Sequence, residues 1–223
     1  MQPQVRPYIV PLCLEQIEIL YRDEHMLLVA KPPWLLTVPG RLPENSDCVM
    51  YRLQKDFPTA TIVHRLDLDT SGLLMIPLCH AVHADLTRQF QRRAIHKRYE
   101  AIVFGIVEND DGEIDFPLTR DWFNKPLQKI CAVEGKHALT RYRVIERDPA
   151  NNRTRLALYP VTGRSHQLRI HLAEIGHSIL GCDLYATDEA FHMGKRLMLH
   201  ATELKFTHPI TGDAMHQVCP VPF

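Results

Sequence analysis

No apolar run in this sequence of 223 residues approaches the roughly 20 residues of a membrane-spanning helix. The opening residues, Met1 to Arg6, are polar, and Pro11 interrupts the short apolar stretch after them, so no secretory leader is expected. No CxxC pair occurs. The six cysteines, at 13, 48, 79, 131, 182 and 219, stand singly, which argues against a disulfide framework or a zinc knuckle and for reduced thiols in the cytoplasm. A glycine-rich dinucleotide fingerprint and a phosphate-binding P-loop are both missing. There is no charge excess: 26 basic residues face 26 acidic ones. That balance argues mildly against a nucleic-acid binder, although distribution matters more than the sum and thirteen histidines add charge below neutrality. Neither a Gly/Ser linker nor an internal repeat divides the chain.

What is present suits one sizeable core, with 45% apolar and 23% charged residues. Residues 1–16 read as an irregular, proline-containing arm. Ile17 to Tyr21 and His25 to Lys31 read as strands joined by the polar turn Arg22-Asp23-Glu24. Two prolines then stop the chain before a Trp-Leu-Leu cluster and Pro39-Gly40-Arg41. Val49 to Phe57 has helical spacing, and Thr61 to Val63 reads as a short strand. Ala81 to Arg93 is the next helix, with Val82, Leu86 and Phe90 on one face. A β-prone run covers Tyr99 to Val107, and Asp110-Asp111-Gly112 reads as an acidic turn. Asp121 to Ile130 is a polar loop with an exposed Trp122-Phe123 pair and two lysines, Lys125 and Lys129. Lys136 to Arg147 and Arg153 to Tyr159 alternate as an antiparallel pair.

Three stretches carry chemistry. The first is HRLDLDTSGLL, from His64 to Leu74. Here a basic pair, His64 and Arg65, precedes the carboxylate Asp67; Asp69 follows; Thr70-Ser71-Gly72 supplies turn chemistry, and an apolar strand comes next. Asp before a turn is by default a local cap, but a carboxylate on a loop mounted on a core strand is also where catalytic groups sit. The second is basic. Arg88, Arg92, Arg93, Lys97 and Arg98 fall without an acid between Arg88 and Arg98, with His96 as a sixth possible charge. Such a cluster complements a helix dipole or reaches phosphate. The third is TGRSHQLRIHL, from Thr162 to Leu172, in which Ser165 suits a helix N-cap, Leu168, Leu172 and Ile175 the buried face, and Gly176 the C′ position. His166 and His171 are five apart, which is not the spacing of a helical metal pair, and no metal site is expected.

These strings, together with KRYEAIV (Lys97 to Val103), the ILG-Cys182-Asp183-Leu-Tyr185 segment and RLMLHA (Arg196 to Ala201), resemble the RluA family of RNA pseudouridine synthases over most of the chain. In the last segment Cys182 stands before the Asp, a departure from the family's ILGD-x-x-Y. The resemblance implies a mixed α/β (α+β) domain over residues 17–223, with a mostly antiparallel central sheet, flanking helices and a central RNA-binding cleft. It makes Asp67 the catalytic carboxylate, acting as nucleophile at C1′ or as base at C2′. It pairs Arg164 with Asp67 within hydrogen-bond reach, places Tyr99 against the flipped base, and makes Leu199 an apolar wall. Arg65 would fill the space that the base vacates, and His64, Arg88, Arg92, Arg93 and Lys97 would join it as RNA contacts. The isomerisation requires no cofactor. Its partner would be an rRNA or tRNA stem-loop. The Pro39-Gly40-Arg41 and Asp121 to Ile130 loops resemble short members that lack an S4 domain, for which there is no room here.

Two other functions compete. A glycoside or nucleoside hydrolase also sets a carboxylate at C1′, but most need a second one 5–10 Å away, and Asp69, the nearby acid, is read as structural. A non-catalytic RNA-binding protein on the same scaffold would not need Asp67, Tyr99 and Arg164 together.

Overall fold

The computed structural model describes residues 9–223, so the expected arm lies partly outside the described residues. Residues 9–16 carry no regular structure but are tied down where the Val10 amide donates to Asn45 Oδ1 at 2.8 Å. The first hairpin joins β1 (Glu18–Arg22) to β2 (Met26–Lys31). Its turn is closed by Asp23, whose Oδ1 accepts the amides of His25 and Met26, each at 2.7 Å. Pro32, which has no N–H to give to a ladder, ends β2. Helix α1 (Val49–Gln54) is shorter than the apolar spacing implied.

Next come β3 (Ser71–Pro77), buried at every residue, and α2 (His80–Gln91), which lays Val82 and Leu86 on the core. Strand β4 (His96–Phe104) follows, then β5 (Asp111–Asp115). Asp111 and Gly112 thus lie in a strand, not in the acidic turn expected. β5 pairs along β8, its Glu113 takes Arg141 at 2.7 Å, and bare Gly112 leaves room for the Tyr142 ring. A separate hairpin comprises β6 (Leu118–Arg120) and β7 (Gln128–Ile130). The long pair is β8 (Leu139–Asp148) with β9 (Arg153–Pro160). Helix α3 (Gln167–Glu174) stops at Gly176, with φ +83°, as expected of that glycine. Helix α4 (Asp188–His192), β10 (Leu199–Thr207) and β11 (Ala214–Val218) complete the described chain.

Nine strands form one sheet in the order β1-β2-β3-β10-β4-β9-β8-β5, with β11 on β10. Among these described strands only β3 and β10 pair in parallel, through His200 with Ser71 and Ala201 with Gly72. Gly72 is indispensable at that seam. Its φ is +112°, and any Cβ would run into the Ala201 backbone. The two largest apolar clusters lie on the two halves of the sheet: one joins β2 and β3 to α1 and α2, and the other joins β4 and β9 to α3. Tyr99 on β4 packs against both. The architecture is the mixed, mostly antiparallel α/β domain anticipated.

Candidate active site

The segment from 61 to 70 holds no strand, contrary to the reading of Thr61 to Val63. Its backbone groups bond to side chains, to the end of β3 and to one another. The Thr61 amide donates to the Pro77 carbonyl at 2.9 Å. Thr37 Oγ1 donates to the Leu66 carbonyl at 2.9 Å and accepts the Leu66 amide at 3.3 Å. The Thr70 amide closes onto the Asp67 carbonyl at 3.2 Å. Lys31, 1% exposed, gives its ammonium protons to the carbonyls of Pro32, Leu35 and Leu68 at 2.8, 2.8 and 3.0 Å. Burial pulls that ammonium down to about 7, against the opposing pull of Asp69 and Asp67. Asp67 therefore sits on irregular backbone that is fastened on either side, the rigid mounting a reacting group needs.

His64 belongs to this fastening. Its Nε2 accepts the Met75 amide at 3.0 Å, and its ring lies 4.9 Å from Phe90. Burial, then the charge of Lys97, pull it down to about 3. His64 is thus held as a neutral acceptor on the β3 backbone, while it also borders the cleft described next.

Asp67, Arg65, Tyr99, Lys97, Arg164 and His166 all border a cleft of about 1020 Å³, which deepens into a pocket of about 100 Å³ lined also by Leu199 and Arg169. Six of the expected site residues, Arg65, Asp67, Lys97, Tyr99, Arg164 and Leu199, are therefore brought together. Leu199 is 3% exposed. Burial, and secondarily the Asp67 charge, push the Tyr99 phenol far up, so it stays protonated. Burial pulls the Lys97 ammonium down to about 8, with Arg93 adding to the fall, and its Nζ reaches the Thr162 carbonyl at 3.2 Å. Arg92 and Arg93 are exposed at the end of α2, while Arg88 is occupied by Asp85 at 2.9 Å.

The arginine assignment needs correcting. Arg164 makes no ion pair within 4 Å among the described residues; its Nε donates to the His137 carbonyl at 3.1 Å. Ser165 does not cap α3; the N-cap position falls to His166, left-handed with φ +55° and without a side-chain cap bond. Arg169, in the first turn of that helix, enters the interior instead. Arg169 is 2% exposed. Its Nε donates to Cys182 Sγ at 3.3 Å, one terminal nitrogen to Asp183 at 2.5 Å, and the other faces Asp69 at 3.9 Å. Burial works against its charge, but Cys182 and the carboxylates of Asp67 and Asp183 outweigh that and hold it protonated. The Cys182 departure thereby acquires a meaning: two adjacent residues share one guanidinium. Asp69 is likewise a member of this charge cluster and not simply a turn residue. Burial, then Asp183, raise its carboxyl.

Tyr185 completes the floor. Its ring lies under Arg169 at 5.6 Å, its hydroxyl is 2.8 Å from His166 Nδ1, and it accepts the Gln128 amide at 2.9 Å. Arg169, Lys31, Thr37, His166 and Tyr185 were not among the residues expected at the site from the sequence. One signal was available for Arg169: Leu168, Ile170 and Leu172 alternate with Gln167, Arg169 and His171, so the stretch from Gln167 to Leu172 has no solvent face and its polar residues need internal partners.

The family model for RNA pseudouridylate synthase matches residues 25–174. The chain is 51% identical over 205 residues to the dual-specificity RNA pseudouridine synthase RluA of Yersinia pestis, covering 92% of this chain and 99% of that one. It is 48% identical to RluA of Escherichia coli K12, covering 92% and 93%. Among solved structures, human RNA pseudouridylate synthase domain containing 1 superimposes with a TM-score of 0.77 at 28% identity, over 96% of this chain and 86% of that one. A family model over more than half of the sequence, and relatives that match it almost end to end, agree with the motif-bearing cleft: the chain belongs to the RNA pseudouridylate synthase family.

Proposed function

We propose that this chain is a dual-specificity RNA pseudouridine synthase, which isomerises uridines in the anticodon arm of a tRNA and in a hairpin of large-subunit rRNA. The observation that carries the reading is the placement of Asp67. Its carboxylate borders the cleft beside Tyr99 and lies in the field of Arg169. Among the described residues, no ion pair within 4 Å claims it, so it is available to a substrate.

The reaction breaks the N1–C1′ bond of a uridine, turns the freed uracil, and rejoins it through C5, whose proton is lost. Nothing is oxidised and no outside group is added, so no cofactor is drawn in. Asp67 acts on the ribose, by attack at C1′ or by removal of the C2′ proton. Arg169, buried and charged, keeps a cation beside it through the reaction. A uridine leaves its stack at a cost of a few kcal/mol, regained by stacking and enclosure. Tyr99 offers the aromatic face with its phenol still protonated, and Leu199 the apolar wall. Arg65, exposed at the mouth, occupies the vacated stack. Lys97, Arg164, Arg92 and Arg93 contact phosphates, with Arg88 joining them if it leaves Asp85. Residues 17–223 form the catalytic domain and 1–16 an arm, working in the cytoplasm; no helix of the described residues is long and apolar enough to cross a membrane.

The test uses total RNA from cells lacking the protein, treated with wild-type protein or Asp67→Ala, with pseudouridines mapped by chemical adduct and primer extension. New sites with wild type alone, in a tRNA and in large-subunit rRNA, support the reading. Binding by both proteins with no pseudouridine from either would replace it with an RNA-binding role. Release of free uracil would replace it with hydrolysis.

A further inference from the structure

The β6–β7 hairpin stands apart from the nine-stranded sheet and takes no part in the chemistry described above. Its tip carries Trp122 and Phe123, which are 64% and 94% exposed. Two adjacent aromatics this open to water gain nothing for the fold. Their surroundings are cationic: Arg120 lies 5.0 Å from the Trp122 ring centroid and Lys125 5.3 Å. The tip is held in one shape. Asp121 Oδ1 accepts the amides of Phe123 and Asn124 at 3.1 and 3.3 Å, and its other oxygen accepts Asn124 Nδ2 at 2.9 Å. The hairpin is also continuous with the cleft. Arg120, Lys125 and Gln128 share its lining with Asp67. A second link runs underneath: the Gln128 amide donates to Tyr185, whose hydroxyl meets His166 Nδ1.

We propose that this hairpin is a stacking platform for unpaired bases of the substrate RNA loop: Trp122 and Phe123 take up nucleotides beside the target uridine, and Arg120 and Lys125 meet their phosphates. The inference rests on the reading of the cleft as an RNA site. Aromatic rings flanked by cations, next to a cleft with a basic mouth, match a polyanion with exposed π-faces. The one acid at the tip, Asp121, is taken up by the turn itself. A preorganised tip loses little freedom on binding. Sequence-tolerant stacking of this kind suits an enzyme that accepts loops from two different RNAs, since every base has a π-face.

The experiment measures binding of an anticodon stem-loop RNA, and of the blunt duplex of the same stem, by wild type, by Trp122→Ala/Phe123→Ala and by Trp122→Tyr/Phe123→Tyr. Ile145→Ala, an exposed position on β8, serves as the surface control. The alanine variant should bind the stem-loop more weakly, by roughly 5- to 150-fold for each stacked base lost, with the loss in KM. The tyrosine variant should retain most affinity, and the duplex should not distinguish the proteins. Equal affinity of the alanine variant for the stem-loop, or an equal loss on the duplex, would overturn the platform. So would a change of oligomeric state with RNA affinity intact, which would make the patch a protein interface. Pseudouridine formation by wild type on the same RNA is read in parallel. If wild type forms no pseudouridine but the alanine variant still loses loop binding, the reaction assignment fails and the platform stands. If wild type is active and the variant's KM is unchanged, the platform alone fails.

Discussion

Replacing Arg169 by glutamine separates the two arginines of the third motif. The guanidinium is 2% exposed and spans three neighbours, Cys182 at 3.3 Å, Asp183 at 2.5 Å and Asp69 at 3.9 Å. Removing one partner of a buried ion pair costs about 3–5 kcal/mol. Asp183 is 53% exposed on its side chain and can be rehydrated, whereas Asp69 is at 20%. The stability loss should therefore fall at or below the lower end of that range, about 2–3 kcal/mol. The catalytic loss is separate: a preorganised charge beside the reacting group is worth about 10²–10³ in rate. Arg169→Lys keeps the charge but cannot serve three sides with one ammonium, so it should fall between. Arg164→Gln gives up the bond to the His137 carbonyl and the proposed phosphate contact, so its effect should be a several-fold weaker affinity. The assay is single-turnover pseudouridine formation at saturating RNA, with thermal unfolding as a check on folding. A collapse of the chemical step in Arg164→Gln, with Arg169→Gln near wild type, would refute the reassignment.

Three further expectations follow from the same geometry. Thr37→Val removes both bonds to Leu66 and should cost about 1–2 kcal/mol of stability and lower the saturating single-turnover rate more than RNA affinity, because it loosens the loop that carries Asp67. Lys97, pulled down to about 8, is charged below that pH and loses its charge above it; RNA affinity should decline as pH rises from 7 to 9 and become flat over that range in Lys97→Arg, as measured by fluorescence titration. His64 has a folded value of about 3 against 6.5 unfolded, so the unfolded chain binds the extra proton between those values. Stability is then complete above about pH 6.5 and is lost as pH falls towards 3, by at most about 5 kcal/mol. Buried His200, at about 4, adds in the same direction. Denaturant titrations over this range should show the fall, and His64→Gln, which keeps an acceptor for the Met75 amide, should reduce its slope.

The elements that bury a regular face were legible in advance. Leu73 to Ile76 read as a core strand because the run is apolar, and β3 is buried throughout. Val82, Leu86 and Phe90 read as one helix face, and Gly176 as a helix stop. Asp67, Tyr99 and Leu199 reached the same pocket because each sits in a motif. What stayed hidden depends on groups distant in the chain. The strand read at Thr61 to Val63 is absent: the Thr61 amide goes to the Pro77 carbonyl at the end of β3, and the Ile62 carbonyl faces the His83 ring. The choice between Arg164 and Arg169 turned on which of them is buried against Cys182, Asp183 and Asp69, partners distant in the chain that local spacing does not report. His64 looked like a cation beside Arg65, but its role is set by an amide of β3 eleven residues away.

The central claim is that Asp67 drives a uridine isomerisation. The most direct measurement uses an anticodon stem-loop RNA carrying tritium at C5 of its uridines, incubated with wild type or Asp67→Asn. Bond formation at C5 expels that hydrogen, so wild type should release tritium to water in step with new pseudouridine, and Asp67→Asn should release none while still binding the RNA. Full release by Asp67→Asn, or label leaving wild-type reactions only as free uracil, would contradict the account.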